Sequence, residues 1–182
     1  MVVKILKEIY LNQSITNLNL FIMEFMNFKA IAIAALVPLV IGAIWYNPKI
    51  GFGMSWMRLA EMTEEKMKSG NVAVIFIATL LLSFFLSITV NGVVIHQVGA
   101  SQMVNPNMDT ETYVAFMNEF RDAHRNAKHG ALHGTLAGVF FVLPVLGINA
   151  LFERKGFKYI LVNVGYWVVT LAIMGAILCA WK

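Results

Sequence analysis

Four histidines are the residues in this chain best suited to chemistry: His96, His124, His129 and His133. His129 and His133 are four apart and share one side of a helix, the spacing that lets two imidazoles bind one metal ion. Glu119 and Asp122 are close in sequence. Three readings follow: a site for zinc or another transition metal, a proton-linked switch, or ordinary interfacial histidines. The H-x-x-x-H spacing lacks the glutamate of a protease motif, and by itself it also arises by chance.

Three other groups of residues stand out. Gly130, Gly134 and Gly138 form a doubled G-x-x-x-G. Missing side chains at that spacing let two helix backbones approach closely in lipid. Ser83, Ser87 and Asn91 repeat the spacing in a second segment, and Ala172, Ala176 and Ala180 in a third. These small faces suit either an interface between copies of the chain or packing inside one bundle. Asn91, Asn149 and Asn163 are amides in apolar surroundings, where interhelical or capping hydrogen bonds are expected. There is no nucleophile elbow, phosphate loop, haem motif or catalytic carboxylate pair, which weighs against an enzyme.

The elements that must position these residues are long and apolar. The chain has 182 residues, 59% hydrophobic and 13% charged, against about 25% charged for an ordinary domain. Mean hydropathy is +0.70. This composition weighs against a soluble enzyme, a disordered chain and a nucleic-acid-binding domain. Uncharged stretches of 19, 40, 24 and 23 residues separate Lys29 from Lys49, Lys68 from Asp109, Lys128 from Glu153, and Lys158 from Lys182. A bilayer core needs roughly 20 apolar residues per helix, so we expect four transmembrane helices at about 30–46, 72–98, 130–152 and 159–181. No span holds an Asp, Glu, Lys or Arg, which argues against a carboxylate-coupled transporter. The first span lacks the A-x-A-like site of a cleaved signal peptide and runs into Trp45 and Tyr46, an interfacial anchor. Pro38 and Pro144 are mid-span and are expected to kink their helices. The one cysteine, Cys179, lies in the fourth span and reads as a small packing residue.

Alternating spans put all four histidines at one membrane face. The loops after spans one and three carry seven cations and the opposite side carries seven. The short, basic third loop favours the cytoplasmic side for loops one and three, with both termini outside. The pI near 9.3 then reflects cations flanking the membrane; no basic patch suits nucleic acid.

Outside the spans, residues 1–28 show apolar positions at Leu11, Ile15, Leu18, Ile22 and Phe25, an amphipathic pattern. Met23 and Met26 are alternative translation starts, so this segment is also read as non-native. In loop one an Asn47-Pro48 turn is expected, then a short helix capped by Thr63 and ended by Gly70. In loop two Asp109 is placed to cap a helix that continues into span three as a lid.

The run Gly42 to Pro48, with Trp45, Tyr46 and Pro48 followed by Phe52, Gly53 and Trp56, resembles the domain-of-unknown-function 1761 family of small bacterial four-helix membrane proteins. Pro144, Asn149 to Arg154, Asn163 to Tyr166 and Gly175 to Leu178 extend the resemblance over about Met26 to Trp181. Gly51 stands as an extra residue before the Phe-Gly pair. Trp167 follows Tyr166 where many members carry a histidine. The resemblance implies topology and a bacterial cytoplasmic membrane, and no activity.

The expected fold is all-α: a polytopic four-helix membrane bundle with an extramembrane helical loop, residues 29–182 forming one domain after the 1–28 segment. An oligomeric binding or transport component is the favoured function. The alternatives are an assembly partner of a larger membrane complex and a histidine-dependent metal enzyme. The expected partners are lipid and a second copy or another membrane protein, with no nucleic acid. No cofactor is required by the sequence, a metal ion on the histidines excepted.

Overall fold

Ten α-helices are formed by the described part of the chain in a computed structural model that covers residues 2–104 and 107–182; the side chains at 2, 13 and 17–24 are outside that description. The chain is 81% helical, with no strand among the described residues. In order they are α1 (Val2–Phe25), α2 (Phe28–Trp45), α3 (Gly53–Leu59), α4 (Glu64–Ser69), α5 (Val72–Val94), α6 (His96–Val104), α7 (Glu111–Phe120), α8 (Ala127–Ala137), α9 (Leu143–Phe152) and α10 (Phe157–Ala180). Four segments are long and apolar enough to span a bilayer: α2, α5, the α8–α9 unit Ala127–Phe152, and α10. Their outward faces carry large apolar side chains such as Ile77, Leu82, Phe140 and Phe141. In water these would cost free energy in proportion to exposed area; in lipid they do not.

α10 is the central helix, packed on α8, α2 and α5. Glycines set the closest approach. A Cβ on Gly130 would fall on the Gly175 carbonyl, one on Gly134 on the Leu171 carbonyl, and one on Gly138 on Val168. The glycine stripe is therefore occupied inside the chain by span four. The polar stripe of α5 also turns inward: Ser83, Ser87 and Asn91 are buried. Ser87 Oγ donates to the Ser83 carbonyl at 2.9 Å, and Asn91 Nδ2 donates to the Phe25 carbonyl at 2.9 Å.

Proline explains the one irregularity within a span. Pro144 has no N–H for the Phe140 carbonyl, and the preceding turn, Gly138–Val142, widens to π geometry, with Leu143 N–H bonded to the Gly138 carbonyl. In α2, Tyr166 Oη donates to the Pro38 carbonyl at 2.9 Å and ties the helix to α10.

Several boundaries differ from the sequence-based expectation. Span two ends at Val94. Ile95 is extended and buried, and α6 restarts the chain at His96. The loop-two helix does not run into span three. α7 is preceded by Thr110 in place of Asp109 and stops at Phe120. His124 takes a left-handed backbone (φ 62°), and Asn126 starts α8 by accepting the His129 N–H on its side chain. Helix α1 is present, but Val3, Ile5, Leu6, Ile9, Tyr10, Leu11 and Ile15 are all exposed. These described apolar groups are not covered by the bundle. Of the expected stripe, Leu11 and Ile15 are exposed and Phe25 is buried, and Leu18 and Ile22 lie outside the described side chains. The Thr63 cap on the Lys66 N–H and the Gly70 terminus of α4 are as expected.

Candidate metal centre

One end of the bundle collects the start of α2, the end of α5, the start of α8 and the end of α10, with α6 and α7 beside them. All four histidines are here. His96 opens α6 directly after the Ile95 break, so that break aims it back over the bundle end. His129 and His133 are one turn apart on α8. Their rings lie 4.4 Å apart, and the His96 ring is 4.8 Å from each. One ligand nitrogen from each of His96, His129 and His133 can be chosen so that all three lie within 4.8 Å of one another. His96 Nε2 and His129 Nε2 are 2.8 Å apart. Two nitrogens bound to one tetrahedral zinc at about 2.0–2.1 Å would be about 3.3 Å apart, so small ring rotations suffice to close on an ion.

His124 stacks on His129 at 4.9 Å and is 6.4 Å from His96. It flanks the trio without a ligand atom inside the group. Its left-handed backbone is uncommon for a residue with a side chain, and three side chains hold that turn in place. Gln97 Nε2 donates to the Phe120 and Ala123 carbonyls at 2.7 and 3.0 Å. Cys179 Sγ lies 3.3 Å from the His124 carbonyl and 3.4 Å from that of Val94. Arg125 Nε donates to the Cys179 carbonyl at 3.0 Å. Sequence reasoning missed Gln97 and Arg125; Cys179 is the buried packing residue expected, and its Sγ also meets the two carbonyls. The only available signal was that Gln97 and Arg125 each adjoin a histidine.

Among the described residues no carboxylate joins the group of three. Asp122 pairs instead with Lys182 at 3.1 Å. Desolvation, followed by the charges of His133 and His124, holds the His96 imidazole below its ordinary pKa. The neutral, metal-binding form is therefore favoured.

The Trp-Tyr-x-Pro element is at the opposite end and has a structural role. Trp45 Nε1 donates to the Val162 carbonyl at 3.0 Å, and Tyr46 Oη lies 3.1 Å from Asn163 Oδ1. Asn163 Nδ2 in turn donates to the Tyr159 carbonyl at 2.8 Å. Trp45 packs on Phe52, and Tyr46 on Trp56 and Tyr166. Asn47 Oδ1 accepts the Lys49 and Ile50 N–H groups in the turn around Pro48. A Cβ on Gly51 or Gly53 would collide with the backbone at 44–48. Gly51 is thus required by the turn, and the whole element clamps loop one onto α10. Asn149 and Asn163 line a small groove beside it with Trp167.

No curated protein and no solved structure matches the chain. Residues 29–179 match the family DUF1761, described as a protein of unknown function. That match spans all four membrane-crossing segments, the clamp at one end of the bundle and the four histidines at the other: the chain belongs to the DUF1761 family.

Proposed function

We propose that this protein is a multi-pass membrane protein that binds one transition-metal ion through His96, His129 and His133. The observation that carries the reading is the set of three imidazole nitrogens within 4.8 Å, drawn from two helices that meet only in the folded bundle. Imidazole ligands suit zinc, copper, iron or nickel and disfavour magnesium or calcium, which want oxygen. Three neutral protein ligands leave a position for water or an exchangeable ligand, the pattern of sites that do more than hold a fold together. In a bacterial cytoplasmic membrane with the short basic third loop inside, the ion would be held at the outer face.

The test is elemental analysis of protein purified without a nickel column, followed by zinc titration of the metal-free protein. About one ion per chain is expected, with binding abolished in His129→Ala and His133→Ala. A chain that takes up no stoichiometric metal on titration would overturn the proposal.

A further inference from the structure

A second polar feature occupies the same end of the bundle and uses none of the three ligands. A cavity of about 320 Å³ is lined by Phe25, Asn27, Asn91, Arg121, Asp122, Arg125, Trp181 and Lys182. Four segments build it: the α1–α2 junction, the end of α5, the α7–α8 turn, and the residues after α10. Its charged groups are three cations and one carboxylate. The carboxylate, Asp122, is already paired with Lys182.

Arg125 is the informative residue. Its guanidinium is half-buried and turned inward by two carbonyls, those of Cys179 and Trp181, at 3.0 and 3.1 Å. It makes no ion pair among the described residues. Carbonyls carry no formal charge, so they orient this cation without neutralising it. Removing a guanidinium from water is costly; Asp122 acts on Arg125 electrostatically but pairs directly with Lys182, and an anion in the cavity would add a direct counter-charge. The fork of an arginine fits a phosphate in two-pronged fashion, and Arg121 lines the same space. The cavity is at the ends of the spans, the depth of lipid headgroups, with Trp181 at its rim as an interfacial aromatic.

We propose that this cavity binds an anionic phosphate group, held by Arg125 and Arg121. The same chemistry is offered by the headgroup of an anionic phospholipid and by free phosphate. The site uses none of the three metal ligands, although Arg125 also supports the turn that carries His124.

The experiment is native mass spectrometry of the detergent-solubilised full chain, titrated separately with phosphatidylglycerol, phosphatidylcholine and inorganic phosphate. Phosphatidylglycerol should bind in preference to phosphatidylcholine, and Arg125→Gln should weaken it about tenfold, the scale of one lost charged hydrogen bond. Arg125 also anchors the chain end, so Arg121→Gln, an exposed position, is the second variant and should act in the same direction. Lys66→Gln with Lys68→Gln, two cations at the other end of the bundle, should leave phosphatidylglycerol binding unchanged. If inorganic phosphate alone binds and the arginine variants weaken it, the site is real and its ligand is soluble. The proposal is overturned if neither phosphate source binds. It is equally overturned if both arginine variants bind like the wild type, or if the Lys66/Lys68 variant loses as much as they do.

Discussion

Within the histidine cluster, each side chain has a separable role. His96, His129 and His133 present the close nitrogens, whereas His124 stacks on the outside. Gln97 touches none of the three ligand atoms and instead holds the turn that carries His124. Partners bonded directly to metal ligands change affinity by about 10–100-fold, and a residue that acts through the adjoining turn belongs at the low end of that range. Gln97→Ala is thus expected to weaken zinc binding about tenfold while leaving one site per chain, as read by calorimetric titration. Unchanged affinity would show that the turn needs no such support. Protons compete with the ion for imidazole, so affinity must fall as pH falls. The lowered pKa of His96 keeps that ligand neutral below the ordinary histidine range. The pH at which zinc is half-released should therefore lie lower in the wild type than in a free-imidazole reference under the same conditions. Release at or above the reference pH would contradict the assignment of His96 as a ligand.

Between helices, packing of α8 on α10 is the most demanding contact. Gly134 has the Leu171 carbonyl where a Cβ would go, and Gly130 has that of Gly175. A larger side chain must push the helices apart, and overpacking of this kind costs about 1–3 kcal/mol. Gly134→Leu is expected to lower the thermal midpoint in detergent and to weaken zinc binding with it, since α8 carries two of the ligands. Gly147→Ala is the internal comparison. Nothing lies within 4 Å of its Cβ position, and alanine is the better helix former by about 1 kcal/mol, so stability should hold or rise. A tolerant Gly134 beside a sensitive Gly147 would contradict the packing described. The small-residue stripe was legible in the sequence. Its partner was not, because G-x-x-x-G reports that a backbone can approach and does not say which one does.

The whole molecule has two ends with different tasks. The clamp of Trp45, Tyr46 and Asn163 closes one, and the histidines and the arginine-lined cavity occupy the other. Tyr46→Phe removes the hydroxyl contact to Asn163 and keeps the ring contacts, so a loss of about 1 kcal/mol is expected. Sites this far apart without shared partners act additively, so zinc affinity should be unchanged; a large change would mean that the two ends are coupled. Sidedness is testable as well. In a Cys179→Ala background, cysteine at Lys128 should react with an impermeant maleimide from outside intact cells, and cysteine at Lys66 should not. The reverse pattern would invert the proposed topology.

Length and charge distribution alone determined that this is a four-span helical membrane protein. Lipid tolerates neither unpaired backbone nor uncompensated charge, so uncharged stretches of 19 residues or more had few alternatives. The Thr63 cap and the Asn47-Pro48 turn were legible for a related reason: they join residues two to three apart, and local geometry suffices. The histidines were countable, and alternation of spans placed them at one face. Only the tertiary structure decided that His96, 33 residues before His129, comes within 2.8 Å of it. It also decided that the expected continuous helix breaks at His124, and that Asp122 turns to Lys182 and away from the imidazoles. These outcomes depend on how α5, α8 and α10 meet, and that is set by glycine contacts distributed along α8 and α10. Periodicity within one segment carries no information about which segment it will face.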